Sequence, residues 1–185
     1  LLADSPFTTN LEQVLEQVTS GGETVCIANP NPVTGIHFGL SELERVAAAL
    51  TRGCLIVDER YFDYLGITAI PLLQQYSNIA LIRVFPSESP RNAETGFIVA
   101  PALQIDHLGG SYRWRTIPAS LREKAASALK DPTTRNERID MVQEELKRVS
   151  RALNRMGIQT RLSPTDFLLL RVARPTQAGN WLASA

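Results

Sequence analysis

Among 185 residues there are two cysteines, two histidines and three lysines, and each scarcity removes a class of chemistry. Cys26 and Cys54 are too few for a disulfide framework, and without clustered histidines they give no zinc pattern, so no metal site is expected. Each lies in an apolar run that reads as a strand, where a free thiol packs as a small buried hydrophobe. His37 and His107 fall on different elements with no nucleophile signature beside them, and they read as surface residues rather than a catalytic pair. There is also no excess charge. Nineteen basic residues cancel nineteen acidic ones, which excludes broad attraction to nucleic acid or to an anionic membrane. The apolar runs IALIRVF and FLLLRVA are far shorter than the ~20 residues a membrane-spanning helix needs. No leader segment is evident at the start, so a cytoplasmic location is the expectation. The chain opens on Leu1 without methionine and closes on Ala185 just after a helix start, the look of a chain cut at both ends.

What is present is an alternation of apolar runs and amphipathic stretches. TNLEQVLEQVT (residues 9–19) places Leu11, Val14, Leu15 and Val18 at helical spacing and stops at Gly21 and Gly22. ETVCIANPNP is a continuous apolar run ending in Asn and Pro, as a buried parallel strand does when it enters a loop at its carboxyl end. SELERVAAALTRG predicts a helix with Ser41 as cap, Glu44 in the reciprocal capping position and Gly53 as terminator. CLIVDERYFDY predicts a second strand, IPLLQQYS a short helix, and NIALIRVF a third strand. TGFIVAP follows too closely for a crossover helix and predicts an antiparallel fourth strand. Expected strands therefore lie near 24–29, 54–59, 79–84 and 95–100.

The fold class expected is α/β, a mainly parallel sheet with helices on both faces. From Pro118 the character changes. SLREKAASALK is helical, DPTTRN reads as a turn, and ERIDMVQEELKRVSRALNRMG makes a long helix with Ile139, Val142, Leu146, Val149 and Leu153 on one stripe, ended by Gly157. Met141 and Met156 read as packing residues. IQTRLSP and DFLLLRVA predict two short strands of a separate small layer, after which the chain leaves through a Pro/Gly segment. This divides the chain into residues 1–131, part of a large domain, and 132–185, part of a small α+β domain. SYRWRT (residues 111–116) could stack a nucleobase beside its arginines, but Trp114 reads better as an interface anchor.

Two loop sequences and one stretch of the tail carry a resemblance. NPNPVTG (Asn29 to Gly35) is similar to the NPNNPTG motif, VDERYFDY (Val57 to Tyr64) to VDEAYFDF, and SPTDFLLLRV to SQANFVLVRF. In this order they resemble the histidinol-phosphate aminotransferase and threonine-phosphate decarboxylase branch of the fold-type I pyridoxal-phosphate aminotransferases, from about Leu11 to Ala185. The family's N-terminal stretch and the last part of its small domain have no counterpart here.

The resemblance implies pyridoxal phosphate as cofactor and assigns roles to residues. Asp58 matches the carboxylate that keeps the pyridine nitrogen protonated, and Tyr61 the tyrosine that reaches the cofactor's phenolic oxygen. The alternative is that Asp58 and Glu59 merely end a strand in solvent while Tyr61 packs on the rim. Pro32 stands where the family has the asparagine that bonds the cofactor oxygen, and Asn31 serves only if the loop slips by one residue. The family's TFSKAFGLAGLRIGY corresponds to VFPSESPRNAETGFIVA, which puts Ser87 or Glu88 at the lysine position and the phosphate-binding arginine near Ala93 or Glu94, with Arg91 close enough to substitute loosely. Lys124, Lys130 and Lys147 all lie in the helical tail. The expectation is a diverged aminotransferase-like protein without catalytic residues, holding any pyridoxal phosphate non-covalently through Asp58, Tyr61, Asn31 and Arg91, and acting as a binding or assembly module. The alternative is an active aminotransferase or decarboxylase of a phosphorylated amino acid or amine, completed by missing segments or a partner chain. The resemblance also implies a homodimer or a tight partner chain, with neither nucleic acid nor membrane as partner.

Overall fold

The structure is a computed structural model that describes residues 11–18, 24–85, 95–111 and 117–184. Arg91, Ser87, Glu88, Ala93, Glu94 and Trp114, named above, lie outside the described residues. The elements run α1 (Leu11–Gln17), β1 (Thr24–Ala28), α2 (Leu40–Ala49), β2 (Cys54–Asp58), α3 (Phe62–Leu65), a 3-10 turn (Ile70–Gln74), β3 (Ile79–Val84), β4 (Gly96–Val99), α4 (Ala102–Ser111), α5 (Ala119–Lys130), α6 (Pro132–Arg155), β5 (Gln159–Leu162), β6 (Leu168–Arg171) and α7 (Pro175–Ser184).

β1, β2, β3 and β4 lie side by side in that order. The first two pairings are parallel, and β3 pairs with β4 antiparallel, as the short link between them requires. The register puts Val25 opposite Leu55, Leu55 opposite Ile79, and Val57 opposite Leu81. Because side chains alternate along a strand, these residues share one face. They pack against Leu11 and Val18, against Leu43, Val46 and Ala47 of α2, and against Leu72. Leu43, Val46, Leu55 and Leu81 are completely buried. Burial of a side chain of this size stabilises the fold by roughly 1.5–3 kcal/mol, so this layer holds the sheet.

The opposite face is less covered. It carries Cys26, Ile56 and Ala80 in one row and Cys54 beside Thr24. Cys26 is exposed and Cys54 half-buried, so only the second approaches the buried thiol expected of both. The reason is position: among the described residues β1 lies at the edge of the sheet, and Cys26 alternates with the core-facing Val25 and Ile27.

Local chemistry moves several boundaries. α2 starts two residues early, at a cap on Gly39 whose N–H donates to Glu42 Oε2 at 2.7 Å, in place of the Ser41/Glu44 pairing. α6 absorbs the expected DPTTRN turn: Asp131 accepts a hydrogen bond from Thr134 N at 3.0 Å, and Pro132 occupies the first helical position, where its missing N–H costs nothing. By the same rule Pro175 starts α7 inside the expected exit segment. α3 and α4 were not predicted. Gly157, at φ 80°, does follow the end of α6 as expected, and β5 and β6 form an antiparallel pair.

Candidate functional site

The carboxyl ends of β1 and β2 open into two loops, the place where open α/β sheets bind ligands. After β1, buried Asn29 holds the loop closed: its Oδ1 accepts from Phe38 N at 2.7 Å and its Nδ2 donates to Phe38 O at 3.1 Å. Asn31 Oδ1 accepts from Val33 N at 2.9 Å and Thr34 N at 3.0 Å, so this side chain builds the turn around Pro32. Gly35 closes the turn at φ 68°, donating to Asn31 O at 2.8 Å.

β2 ends on Asp58, and Glu59 follows it toward the opposite face. Asp58 Oδ2 accepts from Arg60 Nε at 2.9 Å and lies 2.7 Å from Nη2, while Oδ1 accepts from Arg60 N at 3.1 Å. The hydrogen bond to Asp58 holds the Arg60 guanidinium above its ordinary pKa. Glu59, buried, accepts from Ala69 N (2.6 Å), Thr68 Oγ1 (2.9 Å) and Arg83 Nε (2.9 Å), and Arg83 lies over the Phe62 ring with its Cζ 3.7 Å from the centroid. This second carboxylate ties β2 to β3 and to the loop before the 3-10 turn.

Tyr61 is completely buried. Its hydroxyl donates to Asp166 Oδ1 at 2.9 Å, and its ring meets Tyr64 and Phe167 edge-on at 5.9 and 6.3 Å. Burial, then the Asp166 charge, pushes the Tyr64 hydroxyl up. Asp166 belongs to the loop between β5 and β6, in which Ser163 and Thr165 are buried and hydrogen-bonded to each other. Gln143 Nε2 of α6 donates to Thr165 O at 2.5 Å. A Cβ built on Gly35 would meet Ser163, so the three motif loops converge on one place.

Of the residues named from sequence, Asp58, Tyr61 and Asn31 therefore stand on converging loops, each already hydrogen-bonded within the chain. Sequence reasoning missed Arg60 and Asp166 as their partners. Asp166 had a signal, since SPTDF was singled out as a motif, and Arg60 had one in replacing the alanine of VDEAYFDF. Among the described residues no group of three His, Cys, Asp or Glu side chains could hold a metal ion, and no helix is long and apolar enough to cross a membrane.

The family model for aminotransferase class I and II matches residues 5–185. The chain belongs to that family. A histidinol-phosphate aminotransferase of Thermotoga sp. (strain RQ2) is 30% identical over 170 residues, covering 89% of this chain and 49% of the relative. The histidinol-phosphate aminotransferase of Sinorhizobium meliloti, solved in complex with pyridoxal-5'-phosphate, superposes with a TM-score of 0.81 at 19% identity over 92% of this chain and 48% of that one. The L-threonine-O-3-phosphate decarboxylase of Porphyromonas gingivalis gives 0.69 at 21% identity over 85% and 53%. These likenesses establish the pyridoxal-phosphate transferase fold, of which this family member holds a part. The chain spans about half the length of the curated relatives it matches.

Proposed function

We propose that this chain is a diverged aminotransferase-family protein that does not transaminate and serves as a binding or assembly module. One observation carries the reading: Lys124, Lys130 and Lys147 are exposed residues of α5 and α6, and residues 1–123, which include every strand of the main sheet, contain no lysine. Family chemistry needs a lysine amine to carry the aldehyde and to move a proton between substrate and cofactor.

Pyridoxal phosphate would supply an electron sink. The residues present do not fit it in this arrangement: Asp58 is held by Arg60 and the Tyr61 hydroxyl by Asp166. Any cofactor is therefore bound without a covalent link, and weakly. The Asp131 cap that opens α6 supports the proposed division at residues 131 and 132. The half-covered second sheet face, with exposed Cys26, supports a homodimer or a partner chain as the covering element.

The test is amino transfer from histidinol phosphate, phosphothreonine or aspartate to an added 2-oxo acid in the presence of pyridoxal phosphate. No product above the protein-free rate is expected. Turnover abolished by Asp58→Ala would overturn the proposal in favour of a working enzyme completed by a partner.

A further inference from the structure

We infer that Arg60 stands on Asp58 in place of the protonated ring nitrogen of a pyridoxal-type ligand, so that the chain closes its own ring seat from within. The inference rests on reading Asp58 as the family's ring-nitrogen partner. An acidic residue two positions from an arginine is commonplace, and most such pairs at surfaces contribute little. This pair is different in three respects. The Asp58 side chain is only 13% exposed, against 37% for Arg60, so the contact is sheltered on the carboxylate side. Asp58 is engaged three times by the one residue, through Nε, Nη2 and the backbone N–H. The backbone on both sides is fixed: Asn29 N donates to Asp58 O at 2.9 Å, Glu59 N to Ile82 O at 2.8 Å, and Phe62 N to Glu59 O at 2.9 Å.

A guanidinium and a pyridinium each offer a carboxylate a planar cation with N–H to donate, a single donor on the pyridinium and several on the guanidinium, and the guanidinium keeps its proton at every working pH. It is also tethered. A group joined to the site by a short linker competes at an effective concentration of about millimolar or more, which a free ligand at micromolar concentration cannot match. Where VDEAYFDF has alanine no such competitor exists. The Tyr61–Asp166 contact acts in the same direction, since it satisfies inside the chain a hydroxyl that a ring ligand would otherwise use.

The experiment measures binding, not activity, with 4'-deoxypyridoxine 5'-phosphate, which has the ring and phosphate but no aldehyde to label lysines. Calorimetry on the wild type, Arg60→Met and Asp58→Asn/Arg60→Met is combined with the Arg60 Nε–Hε resonance in 15N spectra. Expected are a gain of about tenfold or more in affinity on Arg60→Met, matching release of a charged hydrogen-bonded carboxylate, and its loss in the double variant. The Arg60 Nε–Hε signal should be sharp in the wild type and broadened or shifted in Asp58→Asn. An affinity unchanged by Arg60→Met, whether tight or undetectable, overturns the inference, as does an Nε–Hε signal indifferent to Asp58→Asn. Either result leaves the absence of transamination standing, because no step of the binding experiment involves amino transfer.

Discussion

Removing the Glu59 carboxylate is the sharpest perturbation of the scaffold behind the site. Its side chain is completely buried, and its partner Arg83 is 15% exposed and 2.8 Å away through Nη2. Glu59→Ala strips that guanidinium of its counter-charge, leaves Ala69 N without its 2.6 Å acceptor and frees Thr68 Oγ1 from its 2.9 Å contact. Breaking one side of a buried pair costs about 3–5 kcal/mol, largely from the charge left behind. That is a large share of the roughly 5–15 kcal/mol that holds a typical domain together. Glu59→Leu combined with Arg83→Met removes both charges and should recover most of the loss, because desolvation then no longer has to be offset. Urea unfolding followed by circular dichroism reads the difference as a shifted midpoint at unchanged slope. A loss under about 1 kcal/mol for Glu59→Ala, or a double variant as damaged as the sum of the singles, would refute the account of this network.

Gly35→Ala should destabilise by about 2–5 kcal/mol, combining the left-handed backbone cost with the collision against Ser163, and thermal melting should show it. Asp131→Ala should lower the melting temperature at pH 7 but not near pH 2. The Thr134 N–H depresses the Asp131 carboxyl below its ordinary value, so the stabilisation is present above the unfolded pKa and is lost as pH falls through the folded one. Iodoacetamide should label Cys26 well before Cys54, whose thiol is pushed up by burial; equal rates would contradict the edge position of β1.

The four strands of the main sheet were legible because each is a dense apolar run, and the antiparallel step because the link before β4 is too short for a crossover. Exposure of Cys26 was not, since a run of Val, Cys and Ile reads the same at the edge of a sheet as at its centre. The start of α6 is not legible because Pro132 in DPTTRN reads as a turn signal, whereas after the capping Asp131 it opens the helix. The Asp58 position at a strand end could be read from VDERYFDY, but its capture by Arg60 depends on the turn after β2. Tyr61 and Asp166 are 105 residues apart, and only the fold brings them together.

The proposal that the chain has no covalent cofactor seat is tested most directly by incubating the protein with pyridoxal phosphate, reducing with borohydride and mapping the label by peptide mass. The account predicts substoichiometric label spread over the exposed Lys124, Lys130 and Lys147, unchanged by Asp58→Asn. One stoichiometric adduct on a single residue, lost in Asp58→Asn, would contradict it.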